Sequence, residues 1–199
     1  MPSHTVATEK KSYQRNFQNL CDQFIKKTNG SQFLKKHTEI VDNLLIKLWI
    51  DSNVSKKNTL IAVGGYGRNE LFPYSDVDIL VLNSKKSIEN DENISQFITK
   101  CWDIGLKIGH SVRNLAEVKE EFIADISTAT NLLEARLIFG NHDLFLKFNT
   151  TINKTINIEK FFKEKMAEQA IRHRKYRDSA YQLEPNIKES PGGLRDLQM

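Results

Sequence analysis

Two aspartates one residue apart, Asp76 and Asp78, open an apolar run at 77–82, and a glycine pair, Gly64-Gly65, closes another at 60–63. In an extended chain successive side chains alternate between faces, so Asp76 and Asp78 project together while Val77 and Ile79 turn towards a core. Carboxylates held that close repel, and each raises the other's proton affinity unless a cation lies between them. Oxygen ligands on a rigid strand suit Mg²⁺, which takes one or two carboxylates and fills its shell with water and phosphate oxygens. The glycines supply the complementary half. Without a β-carbon the backbone turns sharply and lets a ligand approach, and a helical turn near Tyr66 would aim N–H groups at an anion. Arg68 offers a guanidinium to a phosphate, and the hydroxyl of Ser75 sits beside the acids. This spacing speaks for a metal ion and nucleotide phosphates.

Other glycine motifs fit less well. Glu70 stands where a dinucleotide-binding fingerprint needs its third glycine, and no Gly-Lys-Ser/Thr follows to make a P-loop. The alternative is a tight turn and two acids at a solvated strand end.

The surrounding elements must hold that pair in place. Residues 1–12 read as a polar, frayed start. Phe17, Leu20, Cys21, Phe24 and Ile25 recur at helical spacing, Asn29-Gly30 ends that helix, and a second carries Phe33, Leu34, Ile40, Val41, Leu44, Leu45 and Leu48. His37 reads as helix surface. The two helices are expected to lie on the sheet as a lid or brace. After a polar linker at 83–93, Ile94, Phe97, Ile98, Cys101 and Trp102 make an amphipathic helix closed by Gly105, and 106–113 reads as a third strand with Leu106, Ile108, His110 and Val112 on one face. Beyond Asn114 the expectation is helical throughout: 115–123, 128–139 ending at Gly140-Asn141, a turn or helix at 144–148, a polar break at 150–157, and a long basic helix at 158–183. Its cluster of Arg172, His173, Arg174, Lys175 and Arg177 reads as a solvated face, and Glu134 and Arg136 as surface or structural charges. The fold class is α+β, a small mixed sheet with helices packed on it. The expected divisions are N-terminal helices (1–58), a core (59–125) and a helical region (126–199).

The run at 64–82, GGYGRNELFPYSDVDILVL, resembles the DNA polymerase beta-type nucleotidyltransferase superfamily, and within it the bacterial PII uridylyltransferase/uridylyl-removing enzymes. LLEARLIFGN at 132–141 and LEPNIKESPGGLRDLQ at 183–198 resemble the same family. The resemblance implies transfer of UMP from UTP to a tyrosine of the PII regulatory protein, with release of pyrophosphate. Asp76 and Asp78 would be the catalytic acids and hold Mg²⁺. Gly64, Gly65, Arg68 and Ser75 would contact the nucleotide. Lys188 and Arg195 would reach phosphate from a segment folded back beside the sheet. The superfamily also implies a third carboxylate on the later strand, which 106–113 lacks; Asp103, Glu117, Asp125 and His110 stay open for that role. The family's uridylyl-removing and glutamine-sensing domains would lie downstream, absent from this chain. A domain boundary rarely falls inside a helix start, so the end at Met199 reads as a truncation. Two alternatives stand beside this reading: a non-catalytic module binding nucleotide or a partner, and a transferase with another acceptor.

Composition agrees with a globular enzyme. Of 199 residues 39% are hydrophobic and 27% charged, and the net charge of +4 is too mild to argue for nucleic acid. No apolar run approaches the ~20 residues of a membrane span, and the N-terminus lacks an apolar signal core. Cys21 and Cys101 read as reduced core cysteines, and the expected compartment is the cytoplasm.

Overall fold

The computed structural model describes residues 4–84, 91–176 and 186–198, grouped in two compact units, Met1–Lys154 and Thr155–Met199. The first opens with α1 (His4–Lys26) and α2 (Gly30–Asp51). Asn29 caps α2 by accepting from the Gln32 N–H, leaving one fewer unpaired donor at its start. α1 begins at His4, so the frayed start does not hold: Val6 is buried in the core, Glu9 pairs with Lys47 at 3.2 Å, and the Lys10 ammonium donates to the Asp103 carbonyl. His37 is likewise buried, not on a surface. Its Nδ1 lies 2.9 Å from the Leu71 carbonyl, and burial holds its pKa below the ordinary value although that bond works the other way.

The sheet follows: β1 (Thr59–Ala62), the short helix α3 (Gly64–Gly67), β2 (Val77–Leu82), α4 (Glu92–Ile104), β3 (Ile108–Arg113), α5 (Leu115–Ala124), α6 (Ile126–Leu133), β4 (Arg136–Gly140) and α7 (His142–Thr155). Its order is β3-β2-β1-β4, with β1 antiparallel to both β2 and β4, and β2 parallel to β3. Leu60, Ala62, Val77, Ile79 and Val81 face a core shared with Val41, Leu44, Leu45, Leu48 and Trp49 of α2 and with Phe97, Ile98 and Cys101 of α4. Each such side chain stabilises by about 2 kcal/mol on burial. A helix holding five of them there is a brace; detaching it as a lid would cost too much. Asp91 and a left-handed Gly105 (φ 97°) cap the two ends of α4, and burial pushes the Cys101 thiol up to about 12. Both cysteines are free.

β4 corrects the helix expected at 128–139. α6 ends at Leu133, and residues 136–140 pair with β1 from Ala62↔Arg136 to Thr59↔Gly140. The sheet therefore draws on the segment assigned to the helical region, and the division at 125/126 cuts across it. The polar break at 150–157 is also corrected: α7 runs on to Thr155, because the Thr150 and Thr151 hydroxyls donate back to the Leu146 and Lys147 carbonyls while Ile152 is buried.

The second unit holds α8 (Ile158–Lys175) and α9 (Leu194–Leu197). Residues 177–185, including Arg177, and 85–90 lie outside the described residues. The basic cluster is not simply a solvated face. Arg172 is buried, and Arg172, His173, Gln169 and the Gly192 N–H all donate to the Asp196 carboxylate. Burial pushes that carboxyl up, but these hydrogen bonds outweigh it and hold it well below the usual carboxylate range. A depressed folded value means the stability is complete above the ordinary value near 3.8 and is lost as pH falls below it. Asp196→Asn should therefore flatten the acid limb of the chain's thermal-stability profile. Among the described residues no helix is long and apolar enough to cross a membrane.

Candidate active site

The glycine turn and the acids meet where β1 hands over to α3. Val63, fully extended, is the N-cap, and its N–H donates to the Asp78 carbonyl at 3.1 Å. Gly64 then takes φ +58°, a left-handed conformation that glycine adopts without penalty. A β-carbon there would lie 3.9 Å from Asp78 Oδ2 and 3.2 Å from Asn131 Oδ1. The Asp78 carboxylate thus borders the turn directly, as the sequence requires. Asp78 is half-buried within β2, while Ser75 and Asp76, just before the strand, are exposed. Val77 and Ile79 are buried in the core on the other face.

Arg68 follows the turn but is already engaged. Its Nε donates to Glu70 Oε2 at 2.9 Å and its Nη1 to Glu134 Oε1 at 2.5 Å. Partial burial lowers its pKa, and the two carboxylates more than offset that, holding the guanidinium above its ordinary value. A phosphate contact from Arg68 must compete with both. Lys188 and Arg195 belong to the second unit, where Lys188 is exposed and Arg195 pairs with Glu189 at 3.5 Å.

Of the four candidates for a third acid or base, three have other work. Glu117 closes a capping box at α5, accepting from the Asn114 N–H. Asp125 caps α6 by accepting from Thr128 N–H, which holds its carboxyl below the ordinary value. His110 pairs with Ile79 in the sheet and packs its ring edge-on to Trp102 of α4, 5.5 Å between centroids, on the face opposite Asp78. Asp103 is exposed on α4. The residue beside Asp78 on β3 is Gly109.

A cleft of about 260 Å³ opens from Asp78 along β3 and between α5 and α6, lined by Ser111, Arg113, Glu121, Thr128 and Asn131 over an apolar floor of Leu80, Val118 and Leu132. Arg113 pairs with Glu121 at 3.1 Å. The sequence reading missed this wall. Alternation along β3 (Gly109, Ser111, Arg113) was its available signal; Glu121, Thr128 and Asn131 gave none. Among the described residues no three His, Cys, Asp or Glu cluster to hold a metal. Asp78 lines the cleft from a rigid strand and Asp76 stands exposed two residues before it, and one or two such hard carboxylates would suit Mg²⁺.

The turn is tied to the rest of the sheet through Asp42 of α2. The Tyr66 hydroxyl donates to Asp42 Oδ1 at 2.5 Å, and Arg136 of β4 grips both Asp42 oxygens at 2.8 and 3.1 Å with its guanidinium 5.4 Å from the Tyr66 ring centre. Burial, then the Asp42 charge and hydrogen bond, push the Tyr66 phenol well above its ordinary value. Asp42→Ala would strand a buried hydroxyl and a half-buried guanidinium together. It should cost about 2–3 kcal/mol of stability in chemical denaturation, and Asp42→Asn less.

A nucleotidyltransferase-domain model matches residues 46–134, and a GlnD PII-uridylyltransferase model matches 160–199. Bifunctional uridylyltransferase/uridylyl-removing enzymes are similar over most of the chain. That of Nitrosospira multiformis is 47% identical over 85% of this chain and 20% of its own length, and that of Hydrogenovibrio crunogenus 48% over 88% and 21%. The Burkholderia vietnamiensis enzyme is 41% identical over 99% of this chain and 23% of its length. A solved toxin–antitoxin structure with AMP-PNP overlaps 69% of this chain at 18% identity and a TM-score of 0.38. The two matches thus follow one another along a single chain that carries a nucleotidyltransferase domain and is similar to the uridylyltransferase/uridylyl-removing enzymes, of whose length it spans about a fifth.

Proposed function

We propose that the chain transfers UMP from UTP to a tyrosine of the PII protein, in the cytoplasm, with Mg²⁺ held by Asp76 and Asp78. The observation that carries this reading is the Asp78 carboxylate bordering Gly64 in a cleft with a polar wall and an apolar floor. The tyrosine oxygen attacks the α-phosphorus, the bond to the bridging oxygen breaks, and pyrophosphate leaves. Mg²⁺ supplies charge neutralisation on the triphosphate and lowers the pKa of the attacking hydroxyl. The chain's own part is to aim. Asp76 and Asp78 fix the cation relative to the turn, while Gly64 and Gly65 let phosphate oxygens approach the backbone. Ser75 adds a hydroxyl to the exposed side, and Arg68, once released by Glu70 and Glu134, would offset charge on the leaving group. Incubation with labelled UTP, Mg²⁺ and purified PII should put label on PII, and ATP in place of UTP should not.

A second reading has one observation in its favour: β3 carries no acid, and Gly109 stands beside Asp78. On that reading the chain binds nucleotide without transferring it. Mg²⁺-dependent UTP binding with no label on PII would support it over transfer.

A further inference from the structure

We propose that Gly109 is a positioning residue for Asp78: the bare backbone of β3 is the cradle in which the metal-binding carboxylate lies. The inference rests on Asp78 being a metal ligand. Asp78 and Gly109 are partners in the parallel pairing of β2 and β3, so position 109 projects on the same face as the acid. A β-carbon at Gly109 would lie 2.2 Å from Asp78 Oδ1, 3.4 Å from its Cγ and 4.0 Å from its Cα. Only the terminal oxygen is intruded upon. The strand backbones stand at ordinary contact distance and need not part. The other carboxylate oxygen faces Gly64 with room to spare, since a β-carbon there would lie at an ordinary contact distance of 3.9 Å from Oδ2. The carboxylate therefore lies between Gly109 and Gly64, and on the Gly109 side its place is open only because that residue has no side chain.

The fold gives no reason for glycine at this place. Glycine inside a strand weakens it, and Gly109 has no positive φ to demand it. The next residues on the same face, Ser111 and Arg113, carry side chains and line the cleft. An alanine at 109 would leave the ladder intact and force the Asp78 carboxylate out of the orientation it holds beside Gly64.

The test compares wild type, Gly109→Ala and Asp78→Asn for Mn²⁺ binding in the presence of UTP, read by the electron paramagnetic resonance of free Mn²⁺, with thermal melts of all three. Gly109→Ala should weaken Mn²⁺ binding about 10–100-fold, the range seen when support of a metal ligand is lost, at an unchanged or higher melting temperature. Wild-type Mn²⁺ affinity in Gly109→Ala, with Asp78→Asn impaired, overturns the proposal. So does a Gly109→Ala chain that no longer folds, since the contact would then serve the sheet. If Asp78→Asn itself binds Mn²⁺ as tightly as wild type, the metal-ligand reading of Asp78 has failed first, and the role of Gly109 falls with it.

Discussion

Asp78→Asn should lower UMP transfer about 10³-fold, close to 4 kcal/mol of barrier, while the melting temperature stays near that of wild type. The asymmetry follows from where the side chain is. Asp78 is half-buried on the cleft face of β2, whereas the strand is anchored through Val77, Ile79 and Val81 on the other face. An asparagine has the same shape and fits between Gly64 and Gly109, so little packing is lost. What is lost is charge. A neutral amide oxygen is a weak ligand for a hard cation, and transfer relies almost wholly on positioning and electrostatic stabilisation of the triphosphate. Asp76→Asn should act in the same direction, and its exposure makes a stability cost smaller still. Single-turnover incorporation of labelled uridylate, with melts on the same samples, decides the matter. Transfer at the wild-type rate by either variant would remove the acids from the mechanism.

The place of Asp78 beside the glycine turn was legible because its information is local. Period-two alternation fixed which way Asp78 points, and the glycines marked the turn. Helices α2 and α4 were legible for the same reason, through a 3.6-residue stripe with Asn29-Gly30 before the one and Gly105 after the other, whereas the Asp91 cap of α4 lay unread in the polar linker. The failures are non-local. Residues 132–139 are apolar enough for either element, and what makes 136–140 a strand is pairing with β1 and the grip of Arg136 on Asp42, 94 residues earlier. His37 lies on an apolar stripe and is buried because the Leu71 carbonyl, 34 residues on, meets its ring. The polar wall of the cleft depends on the parallel register of β2 and β3 and on where α5 and α6 land, and no spacing within the chain encodes either.

Gly67→Ala should destabilise the fold that Gly109→Ala leaves untouched, although the substitution is the same. A β-carbon on Gly67 would lie 1.9 Å from the Glu134 carbonyl oxygen, 3.0 Å from its carbonyl carbon and 3.1 Å from the Ala62 carbonyl oxygen. All three are backbone atoms, and none can rotate away as the Asp78 carboxylate can. To make room, α3 must separate from the connection between α6 and β4. That seam also carries the Arg68–Glu134 ion pair and the bond from Arg136 to the Tyr66 carbonyl, which would stretch together. Alanine's helical preference over glycine returns only about 1 kcal/mol. Overpacking against immovable atoms costs about 3 kcal/mol or more, which for a chain of this size lowers the melting temperature by about 10 °C. Transfer would fall as well, because the turn bordering Asp78 moves with α3. A Gly67→Ala chain melting within about 2 °C of wild type would show that the turn can part from Glu134 at little cost, and the fixed geometry of Gly64 against Asp78 would lose its support.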